Sequence, residues 1–275
     1  MLTEPVRSPM IIAHRGARTE APENTAAAFD AALKYPIDGI EFDVQLSADN
    51  VPVIFHDDTL RRMTGSRRRL GSCALSELRA LDFGGWFSPR FAGEPILTLE
   101  EMLQRYAGVT DLYLEIKSSP RDRSAGRIGA LTRETLACVK RHFRRLSARR
   151  FHLLSFDAQA LRLAHDLMPA AAGMRNLELP RGLTLAAATP ERLKMEIDPG
   201  LTAVNLAVKM LSPALAAVVR GCGKTLFTYT CNTPRQLRRA LAAGVDGVMT
   251  DKPDWLAQAL AAGGEGACGS ATSHH

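Results

Sequence analysis

Short apolar runs alternate with longer amphipathic segments along most of this 275-residue chain. The runs are rich in aliphatic residues, whereas the segments between them repeat apolar positions every three or four residues, as helices do. This alternation is typical of parallel strands joined by crossover helices. It predicts eight strands, centred near residues 12, 41, 114, 153, 172, 204, 227 and 248.

Eight strand and helix units in about 250 residues are typical of a closed (β/α)8 barrel, the TIM barrel. An open, doubly wound sheet contains the same repeating unit, so counting alone leaves both architectures open. No linker divides the chain, and we expect one domain over residues 8–263 with a flexible tail at 264–275. Helix N-caps are predicted at Thr98, Thr189, Ser212 and Thr233.

The interval between the second and third predicted strands breaks this rhythm. It holds over fifty residues, far more than one crossover helix needs, and includes two short helical segments and the aromatic-rich run DFGGWFSPRF. We therefore expect a small helical insertion at about 58–108, above the barrel mouth. A loosely packed loop is the alternative.

Acidic residues alternate with apolar ones on the second predicted strand, GIEFDVQL, so that Glu41 and Asp43 share one face. The third strand, DLYLEIK, repeats the arrangement with Glu115 and Lys117. Because the apolar faces of barrel strands meet the helices, the acidic faces should point inward. Three carboxylates are therefore expected to share the barrel interior.

Three carboxylates in a confined space repel one another and are costly to desolvate unless positive charge lies among them. A hard divalent cation fits an all-oxygen ligand set, and we expect Mg²⁺ or Ca²⁺, with Mn²⁺ as a further candidate. The alternative is a metal-free set of salt bridges that Lys117 and Arg15 complete.

Two histidines fall at the ends of apolar runs near these acids. His14 ends the first strand, directly before Arg15, and His56 closes the run VPVIF. A single histidine here is more often a structural hydrogen-bonding residue, but a pair can flank an ion as general base and general acid. Arg15 and Lys117 are then candidates to bind a phosphate.

The segment PENT opens the first helix, with Asn24 or Thr25 as its N-cap. Glu23 and Asn24 are also candidates to brace the site. A simple helix start is the alternative for the whole segment.

The net charge is +6 and the isoelectric point is near 9.3. We interpret the basic runs at 67–69 and 140–150 as solvated surface, because no aromatic residues interleave them for base stacking, and expect no nucleic acid partner. The five scattered cysteines predict neither disulfides nor a zinc site. The chain shows no signal-peptide core and no long apolar run, so we expect a cytoplasmic protein without membrane insertion. As to assembly, we expect a monomer or a homodimer.

Several separated motifs then occur in one order between residues 10 and 254, namely HRG, PENT, EFDV-x-L, VPVIFHDDTL, LEIK, YTCN and GVDGVMTDKP. In these the chain resembles the glycerophosphodiester phosphodiesterase family. The resemblance implies a (β/α)8 barrel with a helical insertion after the second strand, and hydrolysis of glycerophosphodiesters to an alcohol and glycerol 3-phosphate. It also implies roles for individual residues: Glu41, Asp43 and Glu115 as metal ligands, His14 and His56 as the acid/base pair, and Arg15 and Lys117 as phosphate ligands.

The chain departs from the family at Tyr229, where tryptophan is usual. A tyrosine makes a smaller aromatic wall and adds a hydroxyl, so the substrate pocket should differ. Phe156 resembles another element of that pocket, and packing in the barrel core is the alternative for both residues. Two other functions stay open: a related barrel phosphodiesterase of the phosphatidylinositol phospholipase C or sphingomyelinase D kind, and a phosphoester-binding barrel without catalysis.

Overall fold

Eight parallel strands close into a barrel in the computed structural model, which describes residues 8–119, 126–142, 151–167 and 179–268. The first strand closes the barrel because it pairs with both the second strand and the last. The strands are β1 (Met10–His14), β2 (Gly39–Leu46), β3 (Pro52–Ile54), β4 (Asp111–Ile116), β5 (Phe151–Ser155), β6 (Arg181–Leu185), β7 (Ala203–Ala207), β8 (Thr225–Tyr229) and β9 (Gly247–Thr250).

Helices surround the barrel and confirm the predicted (β/α)8 architecture. They are α1 (Ala26–Ala32), α2 (Arg61–Thr64), α3 (Leu75–Arg79), α4 (Leu99–Tyr106), α5 (Arg127–His142), α6 (Ala158–Leu167), α7 (Pro190–Glu196), α8 (Pro213–Gly221), α9 (Pro234–Ala243) and α10 (Pro253–Cys268). Thr98, Thr189, Ser212 and Thr233 each accept a backbone N–H as N-caps, as predicted. Among the described residues, no helix is both long and apolar enough to cross a membrane.

The barrel strand between β5 and β7 is β6, which sequence analysis did not predict. The strand expected near residue 172 lies outside the described residues. The run RGLTL that forms β6 is short and begins with Arg181 and Gly182, so it lacks the apolar pattern of the other strands. A Cβ atom at Gly182 would lie 2.6 Å from Leu154 Cδ2, so the buried Leu154 side chain occupies the space beside this glycine.

The short strand β3 is antiparallel to β2 and lies outside the barrel closure. The chain reverses between them through Asn50, which has a left-handed φ of 61°; asparagine tolerates this region better than most residues. After β3 the chain forms the helical insertion, in which α2, α3 and turns of 3₁₀ helix at 70–72 and 89–91 precede α4. A separate apolar cluster, including Phe55, Leu60, Leu70 and Phe83, gives this insertion its own packed interior.

The last helix, α10, runs to Cys268. The domain boundaries expected at residues 8 and 263 stay predictions. The rest of the expected tail, 269–275, lies outside the described residues.

Apolar side chains fill the amino-terminal half of the barrel interior. Tyr113 stacks on His152 with ring centroids 4.4 Å apart and meets Phe227 edge to face at 5.5 Å. The room for these rings comes from two glycines, since a Cβ at Gly39 or Gly247 would lie 2.6 Å from the ring of Tyr113 or Phe227. These three rings, of Tyr113, His152 and Phe227, form a plug that closes the amino-terminal end of the barrel. The polar side chains therefore gather at its carboxyl-terminal mouth.

Truncation of the plug should destabilise the whole barrel. Phe227 is buried, and Phe227→Ala should lower the free energy of unfolding by about 3–5 kcal/mol because it removes apolar contacts and leaves a cavity. Leu241→Ala, on the exposed face of α9, is the matched control and should cost less than about 0.5 kcal/mol. Equilibrium urea unfolding measures both, and equal losses would contradict the role of the plug.

Candidate active site

Three carboxylates meet at the barrel mouth, as the strand alternation predicted. Asp43 and Glu115 are register partners on β2 and β4, and Glu41 lies two residues before Asp43. One oxygen from each carboxylate lies within 4.8 Å of the others. All three side chains are buried, so their charges are only weakly screened by water.

Arg15 and Lys117 form ion pairs with two of these acids. Lys117 Nζ lies 2.8 Å from Glu115 Oε1 and 3.3 Å from Asp43 Oδ1, and Arg15 Nε lies 3.0 Å from Asp43 Oδ2. Burial would raise the pKa of Asp43, but Arg15 and Lys117 outweigh burial and hold that pKa far below its usual range. Asp43 is therefore ionised.

Glu41 has no comparable cationic partner among the described residues. The basic side chain that lies nearest to its carboxylate is His14, whose Nε2 lies 3.9 Å from Glu41 Oε2. Burial raises the pKa of Glu41 well above its usual range, and the charges of Asp43 and Glu115 add to that rise. A cation among these oxygens would relieve this repulsion, and the all-oxygen donor set fits a hard divalent ion.

Arg15 reaches the acids because its backbone adopts a left-handed conformation, with φ of 59°. Its N–H donates to the Glu41 carbonyl at 2.8 Å and to Glu41 Oε2 at 3.2 Å. Gly16 follows with φ of 82°, and a Cβ there would lie 2.6 Å from the Ala28 backbone. The close approach of α1 therefore requires glycine in the HRG motif.

The PENT segment braces the site from the start of α1. Asn24 donates from Nδ2 to Asp43 Oδ2 at 2.9 Å, while Thr25 caps the helix by accepting the Ala28 N–H. Glu23 is buried and pairs with Arg15 at 2.9 Å. Of the two N-caps considered for α1, Thr25 fills the role, and Asn24 instead orients a carboxylate.

His14 is held by a carboxylate from the far end of the chain. Its Nδ1 lies 2.7 Å from Asp251 Oδ1, and Asn232 donates to the other oxygen of Asp251 at 2.7 Å. Burial and the neighbouring Arg15 lower the pKa of His14 against the opposing effect of Asp251. The imidazole is thus oriented with Nε2 towards Glu41.

His56 is likewise held by a carboxylate. Its Nδ1 lies 2.7 Å from Asp57 Oδ1, and its charge helps to lower the pKa of Asp43. The loop that carries it is fixed by Gln45, whose amide donates to the carbonyls of Phe55 and Asp57. His56 is more exposed than His14, which leaves it accessible from the mouth.

An aromatic wall borders the site beyond Lys117. Phe156 and Tyr229 meet edge to face with centroids 5.9 Å apart, and Lys117 Nζ lies 5.8 Å from the Phe156 ring centroid. Phe156 is partly exposed. The Tyr229 hydroxyl is buried without a hydrogen-bond partner among the described residues, so a polar group of a ligand would satisfy it.

Sequence analysis did not single out several residues of this site. Asp57 and Asp251 orient the two histidines, and Arg18 and Arg62 join Arg15 around Glu23, at 2.8 and 2.7 Å. The second aspartate of the motif GVDGVMTDKP was the available signal for Asp251. For Arg62, in the insertion, no sequence signal existed.

Glu23, His56 and Asp57 form a second group with metal-ligand spacing. Arg62 already bridges its two carboxylates, donating to Glu23 Oε1 at 2.7 Å and to Asp57 Oδ2 at 2.7 Å. Because guanidinium groups neutralise these acids, the group has less need of an ion than the three acids around Glu41.

Comparison with known proteins agrees with this geometry. A model of the "Glycerophosphoryl diester phosphodiesterase family" matches residues 14–255. A glycerophosphodiester phosphodiesterase of Caldanaerobacter subterraneus is 30% identical, over 93% of this chain and 99% of the relative. A glycerophosphodiester phosphodiesterase of Bacillus subtilis is 28% identical, over 89% of this chain and 84% of the relative.

A solved structure shares the same fold. The phosphodiesterase of Oleispira antarctica, solved in complex with the product sn-glycerol-3-phosphate, aligns with a TM-score of 0.77 and 28% identity. The alignment covers 92% of this chain and 97% of that one. The matched barrel and the family match over nearly the whole chain lead to one assignment: this protein belongs to the glycerophosphoryl diester phosphodiesterase family and is a hydrolase.

Proposed function

We propose that this protein hydrolyses glycerophosphodiesters to an alcohol and sn-glycerol 3-phosphate with the help of a divalent cation. The observation that carries the proposal is the buried cluster of Glu41, Asp43 and Glu115. The Arg15 and Lys117 side chains neutralise this cluster only in part. Two histidines, each held by a carboxylate, lie beside it. The product bound to the Oleispira antarctica relative supports this substrate class.

Glu41, Asp43 and Glu115 would hold the cation, and their oxygens suit Mg²⁺, Ca²⁺ or Mn²⁺. When bound, such an ion supplies positive charge that neutralises the non-bridging oxygens of the phosphodiester. Arg15 and Lys117 add fixed cationic donors beside the same position. Positioned charge of this kind is often the largest contribution to catalysis of phosphoryl transfer.

The histidines have different surroundings and therefore different proposed roles. In the proposed tautomer, His14 Nδ1–H donates a hydrogen bond to Asp251, and the lone pair of the neutral imidazole lies on Nε2. This arrangement suits a general base that takes a proton from the nucleophile. His56, held by Asp57 and more exposed, suits the general acid that protonates the leaving alkoxide. In each pair the carboxylate would stabilise the imidazolium form.

The aromatic wall suits the glycerol arm of the substrate. The rings of Phe156 and Tyr229 offer apolar surface beside Lys117, and the unpartnered Tyr229 hydroxyl offers a hydrogen bond to a glycerol hydroxyl. Glu23 and Asn24 are proposed to support Arg15 and Asp43 without contacting substrate.

Cation binding should stabilise the fold as well as activate the enzyme. A cation at a hundredfold excess over its Kd adds about 2.7 kcal/mol, or roughly 5 °C in Tm for a domain of this size. Glu41→Gln should abolish this shift while leaving the metal-free Tm unchanged or higher, because it removes an uncompensated buried acid. Thermal unfolding with and without Mg²⁺, Ca²⁺ or Mn²⁺ measures both effects.

The control is Glu77→Gln, an exposed acid of the insertion, which should keep the full shift. The metal site would be contradicted if neither a chelator nor an added cation changed the Tm or the activity of the wild-type protein. An undiminished shift in Glu41→Gln would contradict Glu41 as a ligand.

Loss of either proposed acid/base group should abolish most turnover. His14→Ala and His56→Ala should each lower kcat by about 100- to 10,000-fold, the usual contribution of a positioned acid or base. Their circular dichroism spectra should match the wild type. His165→Ala, an exposed histidine of α6, is the control, and full activity in a His14 and His56 double variant would exclude the assignment.

Asp251, which the sequence analysis did not single out, is a positioning residue for His14. Its loss should therefore lower kcat much more than it changes KM. Asp251→Asn should lower kcat by roughly 100-fold or more with little change in KM, since the amide no longer stabilises the charged His14 imidazole. Asp254→Asn, on the neighbouring helix α10, is the control. A change in Tm or KM with kcat intact would indicate a purely structural role.

A further inference from the structure

Arg62, on helix α2 of the insertion, joins two carboxylates that serve different parts of the site. Its Nη1 and Nη2 donate to the two oxygens of Glu23, at 3.0 and 2.7 Å. Its Nε and Nη2 donate to the two oxygens of Asp57, at 2.7 and 3.0 Å. The Arg62 side chain is 37% exposed, and exposed ion pairs are usually weak unless they are bidentate or part of a network. Both conditions hold here, so the guanidinium fixes orientation as well as charge.

The two carboxylates differ in how far they depend on Arg62. Glu23 is buried and also pairs with Arg15 and Arg18, at 2.9 and 2.8 Å, so it keeps two guanidinium partners without Arg62. Asp57 is partly exposed, and among the described residues no lysine and no other arginine pairs with its side chain. Loss of Arg62 would therefore release the Asp57 carboxylate much more than the Glu23 carboxylate.

Asp57 in turn orients His56. The oxygen Oδ1 that Arg62 holds lies 2.7 Å from His56 Nδ1. Both side chains are partly exposed and follow one another between β3 and α2, so burial alone does not fix their rotamers. Burial would raise the pKa of Asp57, but hydrogen bonds from His56 and Arg62 hold that pKa far below its usual range. The carboxylate that holds the imidazole is therefore charged.

The insertion fixes Arg62 itself through Trp86, which belongs to the aromatic-rich run DFGGWFSPRF. The guanidinium carbon lies 5.5 Å from the Trp86 ring centroid, within the range of a cation–π interaction. Trp86 donates from Nε1 to the Phe83 carbonyl at 2.8 Å, and Phe83 is part of the apolar cluster inside the insertion. A chain of contacts thus runs from the packed interior of the insertion to the imidazole of His56.

We propose that Arg62 is a positioning residue of the reaction, which holds His56 through Asp57 in the orientation that protonates the leaving alkoxide. The inference rests on the proposed function, in which His56 is the general acid. A proton donor acts through a short, aligned hydrogen bond, so a small displacement of its ring is costly. The insertion thereby takes part in the departure of the alcohol.

Two substrates that differ in their leaving group test this role. Glycerophosphoethanolamine releases an alkoxide, which needs a proton to depart, whereas the p-nitrophenyl ester of glycerol 3-phosphate releases p-nitrophenolate, which needs none. The measured quantity is kcat/KM, because it includes every step up to departure of the leaving group. Arg62→Ala should lower it by about 100-fold for the ethanolamine substrate and by about threefold or less for the nitrophenyl substrate.

Arg62→Lys keeps the positive charge but cannot hold two carboxylates in bidentate geometry. It should show the same selective loss, by about tenfold or more for the ethanolamine substrate. Partial unfolding of a variant would lower both values by the same factor, since it only removes active enzyme. Arg61→Ala is the matched control, because Arg61 is an exposed arginine of the same helix, and it should leave both values unchanged.

His56→Ala separates this inference from the proposed function, and it should show the same selectivity as Arg62→Ala. Equal losses on both substrates in His56→Ala would overturn His56 as the general acid, and the role of Arg62 with it. A selective loss in His56→Ala with equal losses, or none, in Arg62→Ala would overturn the positioning role alone. Release of glycerol 3-phosphate from neither substrate by the wild-type protein would overturn the proposed function itself.

Discussion

Electrostatic repulsion among three buried carboxylates is the constraint on which the rest of this site depends. Glu41, Asp43 and Glu115 are close enough to share one ligand and too buried for water to screen them. Lys117 and Arg15 pair with Glu115 and Asp43. Among the described residues no lysine or arginine side chain pairs with Glu41, and burial and the neighbouring acids raise its pKa. This imbalance is the physical reason to propose a small cation among these oxygens.

Different parts of the fold supply the positively charged side chains around these acids. Arg15 comes from the end of β1, and Arg62 reaches the same buried Glu23 from the insertion. Glu23 thereby holds guanidinium groups in place that would otherwise repel one another. The insertion, which adds nothing to barrel closure, brings Arg62 to this network.

Much of the fold and the three central carboxylates could be predicted from local patterns. Period-two alternation placed Glu41 and Asp43 on one face of β2 and Glu115 on the matching face of β4, and the structure brings all three together. The pattern failed at β6, where Gly182 serves close packing inside the barrel and no apolar run marks the strand. It also could not show β3, whose three residues are too few for a period.

What the sequence determined is therefore what depends on neighbours along the chain: strand faces, helix caps, and the placement of His14 at a strand end and of His56 at the end of an apolar run. Only the tertiary structure decided which distant groups meet them. Asp251 holds His14 across 237 positions of sequence, and Arg127 lies against the end of β2. Such contacts follow from barrel closure, which brings β9 beside β1, and closure has no local signature in the sequence because it depends on all eight strands at once.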